Sequence, residues 1–231
     1  MAPTQLRRGL WHWQAPHPGW TPGEWWAQEV SSYAIDDGAR LLLVDPLAVP
    51  DELLELAAER EPAVVLTAPW HERDTQSLVE RLGTKVFTPP PDTADDLVRK
   101  YGITREQIPE GWQSTDVAWL MTGDGGEAHL YTAGDRLPIG IEAFPGWAHN
   151  DLVLWVDRVE AVITGDTIGD FGRGLEINDN LPDSVRREAI AERLRPLLER
   201  PVELVLPTHG APTDPAALER ALAQYPSVNS M

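Results

Sequence analysis

The chain has no cysteine, which excludes disulfides and thiolate metal sites and leaves the redox compartment open. It is also short of positive charge. Lys and Arg number 19 against 37 Asp and Glu, a net charge of −18 over 231 residues. Phosphate binding needs a positive field, so nucleic acid and anionic membranes are disfavoured as partners and a small-molecule ligand is expected. No apolar run approaches membrane-spanning length. The first residues, Met1 to Gln14, carry two arginines but no apolar stretch long enough for a signal peptide. A soluble, cytoplasmic protein is the expectation; the sequence is silent on oligomeric state. Hydrophobic content is 42%, ample for a sizeable core.

Periodicity and turn signals divide the chain. Leu10 to Gln14 alternates Trp11 and Trp13 with polar residues, as a strand does. Ala15 to Gly23 holds three prolines and two glycines and reads as a loop. Val30 to Ile35 and Ala39 to Val44 form a hairpin about Asp36-Asp37-Gly38. A helix over Asp51 to Arg60, a strand over Val64 to Thr67, a helix over Thr75 to Leu82 and a strand over Lys85 to Thr88 follow. That alternation is the α/β signal. A short helix is placed over Ala94 to Tyr101. Strands are placed at Val117 to Thr122 and Ala128 to Thr132, about the turn Gly123-Asp124-Gly125-Gly126. Further strands are expected at Ile139 to Phe144, Leu152 to Val156, Ala161 to Thr164 and Val202 to Leu206. Helices are expected at Ser184 to Arg200 and Pro215 to Gln224.

Three apolar runs end in polar tips. Val64-Val65-Leu66 leads to His71, Glu72, Arg73 and Asp74; Ala161 to Thr164 leads to Gly165-Asp166; and Val202 to Leu206 leads to Thr208-His209-Gly210. Imidazole and carboxylate groups gathered at one end of a sheet are what a Zn²⁺ or Fe²⁺ site needs.

These segments resemble the metallo-β-lactamase superfamily, over nearly the whole chain. The family motif His-x-His-x-Asp-His reads here Pro69-Trp70-His71-Glu72-Arg73-Asp74, so His71 alone keeps its family identity. The family's bridging aspartate matches Asp166 and its last histidine matches His209. The early hairpin ending in Leu43-Val44-Asp45-Pro46 also fits. The remaining family histidine falls on Trp147 when the segment Gly146 to Asp151 is laid without gaps, or on His149 if the loop is two residues longer. The resemblance implies one domain over residues 1–231, an αββα sandwich of two mixed β-sheets flanked by helices.

On that map His71, His149, Asp166 and His209 are the candidate metal ligands, for one Zn or Fe ion or none, and Asp74, Asp166 and His209 the candidate catalytic groups. Asp74 reads equally as a helix N-cap. Arg73 puts a permanent cation where the family has a carboxylate; it repels a second divalent ion and can pair with Asp166 or with an anionic substrate group. Trp70, Arg73 and Trp147 are the candidate substrate contacts. Trp11, Trp13, Trp20, Trp25 and Trp26 read as packing, as do His12, His17 and His129. Ile168 onward resembles the loop that shapes the family pocket. Three functions follow: a mononuclear metal-dependent hydrolase of a small metabolite, a metal-free protein binding a ligand or partner, and a mononuclear iron oxygenase.

Overall fold

The computed structural model describes residues 2–121 and 128–226. The chain opens with an antiparallel meander, β1 (Thr4–Arg7), β2 (Leu10–Pro16), β3 (Glu29–Asp36) and β4 (Arg40–Val44). Helix α1 (Asp51–Ala58) then carries the chain over to β5 (Glu61–Val65), and α2 (Thr75–Leu82) to β6 (Lys85–Thr88), so both strands join in parallel. After α3 (Ala94–Tyr101) and α4 (Ala118–Met121), β7 (Ala128–Leu130) completes a seven-stranded sheet in chain order.

The second half builds the other sheet. Strands β8 (Arg136–Leu137), β9 (Ile141–Pro145), β10 (Leu152–Val156) and β11 (Ala161–Ile163) run antiparallel. A hairpin of β12 (Ile168–Asp170) and β13 (Leu175–Ile177) follows, then α5 (Arg187–Leu194). Strand β14 (Leu204–Leu206) adds in parallel beside β11, and α6 (Pro215–Ala223) ends the described chain.

Strand patterning explains the layers. In β10, Leu152, Leu154 and Val156 point to one face and Val153 and Trp155 to the other, and all five are buried. A strand apolar on both faces needs cover on both. Leu154 and its neighbours meet Ile35, Leu42, Val44 and Val65 of the first sheet. Val153 and Trp155 meet Ile190, Leu194, Leu218 and Leu222 of α5 and α6. The outer face of the first sheet, through Leu41, Leu43 and Val64, is covered by Leu53 of α1 and Leu78 of α2. The result is the expected αββα sandwich.

Three elements differ from their sequence patterns. Residues 118–121 form a helix, not a strand, because the Val117 N–H is held by Glu72 Oε2 at 2.7 Å and the chain turns there with Val117 at φ 48°. Its expected hairpin partner β7 pairs instead in parallel with β6, and the glycine turn at 123–126 lies outside the described residues. The helix expected from Ser184 to Arg200 is α5 alone; Pro196 cannot continue it, and Arg195–Glu199 tightens into a 3₁₀ turn. Among the described residues no helix is long and apolar enough to cross a membrane.

Leu154 lies wholly buried between the sheets, so Leu154→Ala should cost about 2–5 kcal/mol in urea unfolding. Leu130→Ala, at an exposed position, should stay within about 0.5 kcal/mol of wild type.

Candidate functional site

The parallel strands of the two sheets deliver their C-terminal ends to one rim, where a crevice of this fold class is expected. Asp45 follows β4 directly and is buried. Its carboxylate accepts from the Thr67 N–H (2.8 Å) and the Thr67 hydroxyl (2.6 Å), just beyond β5. A 3₁₀ turn, Pro69–His71, then folds the chain back. It lays His71 Nδ1 2.9 Å from Thr67 Oγ1 and 3.2 Å from Asp45 Oδ2.

Asp166 reaches the same point from the second sheet. Gly165 precedes it with φ 55°, and a Cβ there would lie 2.5 Å from Asp151 Oδ1, so only glycine allows the approach. The Asp166 N–H donates to Asp151 Oδ1 at 3.2 Å, and Asp151 is held in turn by the Thr167 hydroxyl at 2.6 Å. Asp166 Oδ1 then lies 3.1 Å from His71 Nε2 and 3.2 Å from His209 Nε2. Its other oxygen accepts from Trp70 Nε1 at 2.8 Å. His71, Asp166, His209 and Trp70, remote in the chain, therefore meet around one carboxylate.

The charges follow from this packing. Burial alone would strip the proton from His71, but Asp166 and Asp45 on either side outweigh it and raise its pKa to about 10. His71 is thus an imidazolium between two carboxylates. Burial likewise opposes ionisation of Asp166 and Asp45, and the cationic ring beside them overrides it, holding both below the usual carboxylate range. Asp151 has no such cation in contact. Burial and the neighbouring Asp166 charge lift it to about 7.

Other candidates lie elsewhere. Arg73 does not pair with Asp166. Its Nη1 donates to the Asp45 carbonyl (2.6 Å) and the Ser31 carbonyl (3.1 Å), while Nε is buried without an acceptor. The guanidinium therefore ties loop ends together beneath the site. Asp74 stands at the N-cap position of α2 but makes no side-chain cap; its Oδ2 accepts from the Ala48 N–H at 2.6 Å. His149 is turned away, its Nδ1 3.5 Å from Asp96 Oδ1, and it makes no contact with His71 or Asp166. The Trp147 ring instead lies beside Trp70, 6.1 Å between centroids.

Above Asp166 opens a cavity of about 750 Å³ walled by Trp25, Trp70, Tyr101 and Trp147, with Asn178 and Leu181 on its far side. The segment after β13 supplies that far side, and Asn178 Nδ2 donates to the Asp166 carbonyl at 3.2 Å. His209 is boxed by Trp25, Trp26 and Phe171, at centroid distances of 6.1, 5.0 and 5.7 Å. Trp25 and Trp26 had read as packing. Their available signal was position: two adjacent tryptophans in a Pro/Gly loop have no strand or helix face to serve. Lys100 was also missed; its Nζ sits 4.8 Å from the Trp70 ring and 5.2 Å from Trp147, anchored by Asp92 and by Asn150 Oδ1 at 2.8 Å. His12 and His129 pack on Tyr33 and Phe87, and His17 on Trp26.

One group of described residues could hold an ion with three ligand atoms mutually within 4.8 Å: Asp92, Asp96 and His149. Its carboxylates are already engaged, Asp92 by Lys100 and Asp96 by Thr93 and Arg99. His71, Asp166 and His209 do not close to that spacing. Each imidazole is spaced from Asp166 Oδ1 as two ligands of one ion would be. Trp70 occupies the other oxygen, and both ring nitrogens of His71 are engaged, Nδ1 by Thr67 and Asp45 and Nε2 by Asp166. The rim residues fit each other better than they fit a metal ion.

No family model matches the chain, and no curated protein matches its sequence. Solved structures do. The DIM-1 metallo-β-lactamase superposes with a TM-score of 0.63 at 13% identity, covering 96% of this chain and 95% of that one. DIM-1 exposed to ceftazidime gives 0.64 at 14%, covering 96% and 94%. TMB-1 gives 0.60 at 12%, covering 96% and 95%. The chain has the metallo-β-lactamase fold.

The ion network sets a pH dependence. His71, with its pKa raised, contributes stability fully below about 6.5 and loses it as pH rises toward about 10. Asp151, raised to about 7, adds a fall between about 4 and 7. Asp45 and Asp166, lowered, contribute above about 4 and lose that contribution in acid. His12, lowered to about 4 by burial, gains stability between about 4 and 6.5 and offsets Asp151 there. Urea-unfolding free energy should therefore vary little from about pH 4.5 to 6.5 and decline from about pH 7 through 9.5, and His71→Asn should abolish the decline above pH 7.

Proposed function

We propose that this chain is a metal-free relative of the metallo-β-lactamase-fold enzymes that binds a small planar organic ligand in the aromatic cavity over Asp166. One observation carries the reading. Both Asp166 oxygens and both His71 nitrogens are engaged by neighbours, Asp166 Oδ1 by two imidazoles and Oδ2 by the Trp70 indole; of the ligand-capable atoms of His71, Asp166 and His209, only the buried His209 Nδ1 is without a hydrogen-bond partner among the described residues. In the connection before α2, the position where the family carries a second-metal carboxylate is Arg73, whose Nη1 donates to backbone carbonyls.

The cavity walls suit stacking. Trp25, Trp70 and Trp147 offer π faces, and Lys100 Nζ, 4.8 Å from the Trp70 ring and 5.2 Å from the Trp147 ring, holds those two rings by cation–π contact. Asp166 and Asn178 supply polar contacts, since Asp166 Oδ2, which accepts from the Trp70 indole, still has acceptor capacity. A cavity of this size and lining is typical of a site for a drug-sized molecule.

A second reading, a mononuclear metal-dependent hydrolase, is favoured by the two imidazole-to-Asp166 spacings alone. Metal content separates the two. Protein purified without chelator, incubated with equimolar Zn²⁺ or Fe²⁺ and desalted should retain far less than one equivalent of either. One equivalent that disappears in His209→Ala would establish the hydrolase or oxygenase readings instead. In parallel, 1-naphthol should quench tryptophan emission saturably, and Trp70→Ala should weaken its binding about tenfold.

A further inference from the structure

A second groove, about 820 Å³, adjoins the aromatic cavity, and the two share Trp147 and Ser184 as a common wall. Its character is different. Arg99, Lys100, Arg186 and Arg193 line it, with His149, against the carboxylates of Asp96 and Glu192. In a chain with 37 acidic and 19 basic residues, such a concentration of cations is unusual.

The local charges do not cancel. Lys100 is neutralised by Asp92, and Arg99 by Asp96, whose other oxygen is held by the Thr93 N–H and hydroxyl. Glu192 accepts from Arg195 Nε at 3.0 Å. Arg193 donates through Nε to the Ala189 carbonyl and to no carboxylate, and no ion pair of Arg186 is found among the described residues. Two guanidinium groups are therefore left unpaired on one side of the groove. They stand one at the start of α5 and one on its last turn. No side chain caps the N-terminal end of α5 at Arg186. In the shared wall, Trp147 Nε1 is a buried donor without an acceptor.

We infer that the ligand of the aromatic cavity is bipartite: a planar head stacked on Trp70 and Trp147, and an anionic tail, a phosphate monoester or a carboxylate, held across the shared wall by Arg186 and Arg193. The inference rests on the ligand-binding reading proposed above. Arginine is suited to this role, because its planar fork matches a phosphate or carboxylate with two parallel hydrogen bonds. The overall negative charge repels anions at long range, and the two unpaired guanidiniums supply a local positive field that only a ligand seated in the groove meets.

Three probes separate the parts: 1-naphthol, 1-naphthyl phosphate and 1-naphthylacetate, each titrated calorimetrically into the full chain. One of the two anions should bind at least about tenfold more tightly than 1-naphthol, and the tighter of them identifies the tail chemistry. Arg186→Gln/Arg193→Gln, two exposed positions, should remove that gain and leave 1-naphthol binding unchanged, with the circular dichroism spectrum intact. Adding 300 mM NaCl should weaken the anion and not the alcohol. Equal binding of all three probes, or a double variant that binds the anion as wild type does, overturns the anionic tail and leaves the aromatic cavity standing. Failure of all three to bind overturns the ligand-binding reading and the tail with it.

Discussion

The rim of this protein depends on one ionic contact: the protonated His71 ring held between Asp45 of the first sheet and Asp166 of the second. Two like-charged carboxylates brought out of water to the same point repel each other and lose hydration. The imidazolium between them turns that cost into a bridge. Removing it would leave Asp45 a buried anion with no cation in contact, a loss on the scale of about 3–5 kcal/mol. Arg73, the Thr67 hydroxyl and the Trp70 indole add hydrogen bonds around it, tying the junction of the two halves together.

Function follows from what this network leaves free. The fold provides a crevice at the ends of its parallel strands, and solved metallo-β-lactamases share that architecture. Here the groups at the floor bind one another, and the chemistry available to a ligand comes from the walls. Those walls are indole rings, an amide and a partly exposed carboxylate, with a lysine against two of the rings. In the function proposed above, such walls select a ligand by shape and stacking. The floor residues hold the walls in register: Trp70 is positioned by Asp166, and Trp25 and Trp26 lie against His209.

Much of this was legible in the sequence, and what was not has physical causes. Strand–helix alternation gave the α/β class and the family resemblance implied the αββα layers; the structure supplies their physical basis in the strand Leu152 to Val156, apolar on both faces and covered on both. His71, Asp166 and His209 could be placed together because each closes an apolar run in a parallel strand. Residues 118–121 read as strand because Val117, Trp119 and Leu120 are strand formers; a bond from the Val117 N–H to Glu72, a residue 45 positions away, decides otherwise. Arg73 was expected to meet Asp166 or an anionic substrate group, yet with φ 43° its backbone turns the side chain to the Asp45 carbonyl instead. His149 and Lys100 were beyond reach for the same reason. Their partners, Asp96 and the two tryptophan rings, come from tertiary packing of α3 against the loop after β9, which no local pattern encodes.

With Asp45 and Asp166 on either side, the His71 ring should carry a proton on both nitrogens and leave neither free for a metal ion. Long-range ¹H–¹⁵N NMR of the imidazole rings reads this directly. At pH 8, in the presence of Zn²⁺, both ring nitrogens of His71 should show the protonated signature, unchanged from the metal-free spectrum. A His71 ring with an unprotonated Nε2 that shifts on adding Zn²⁺ would contradict the account.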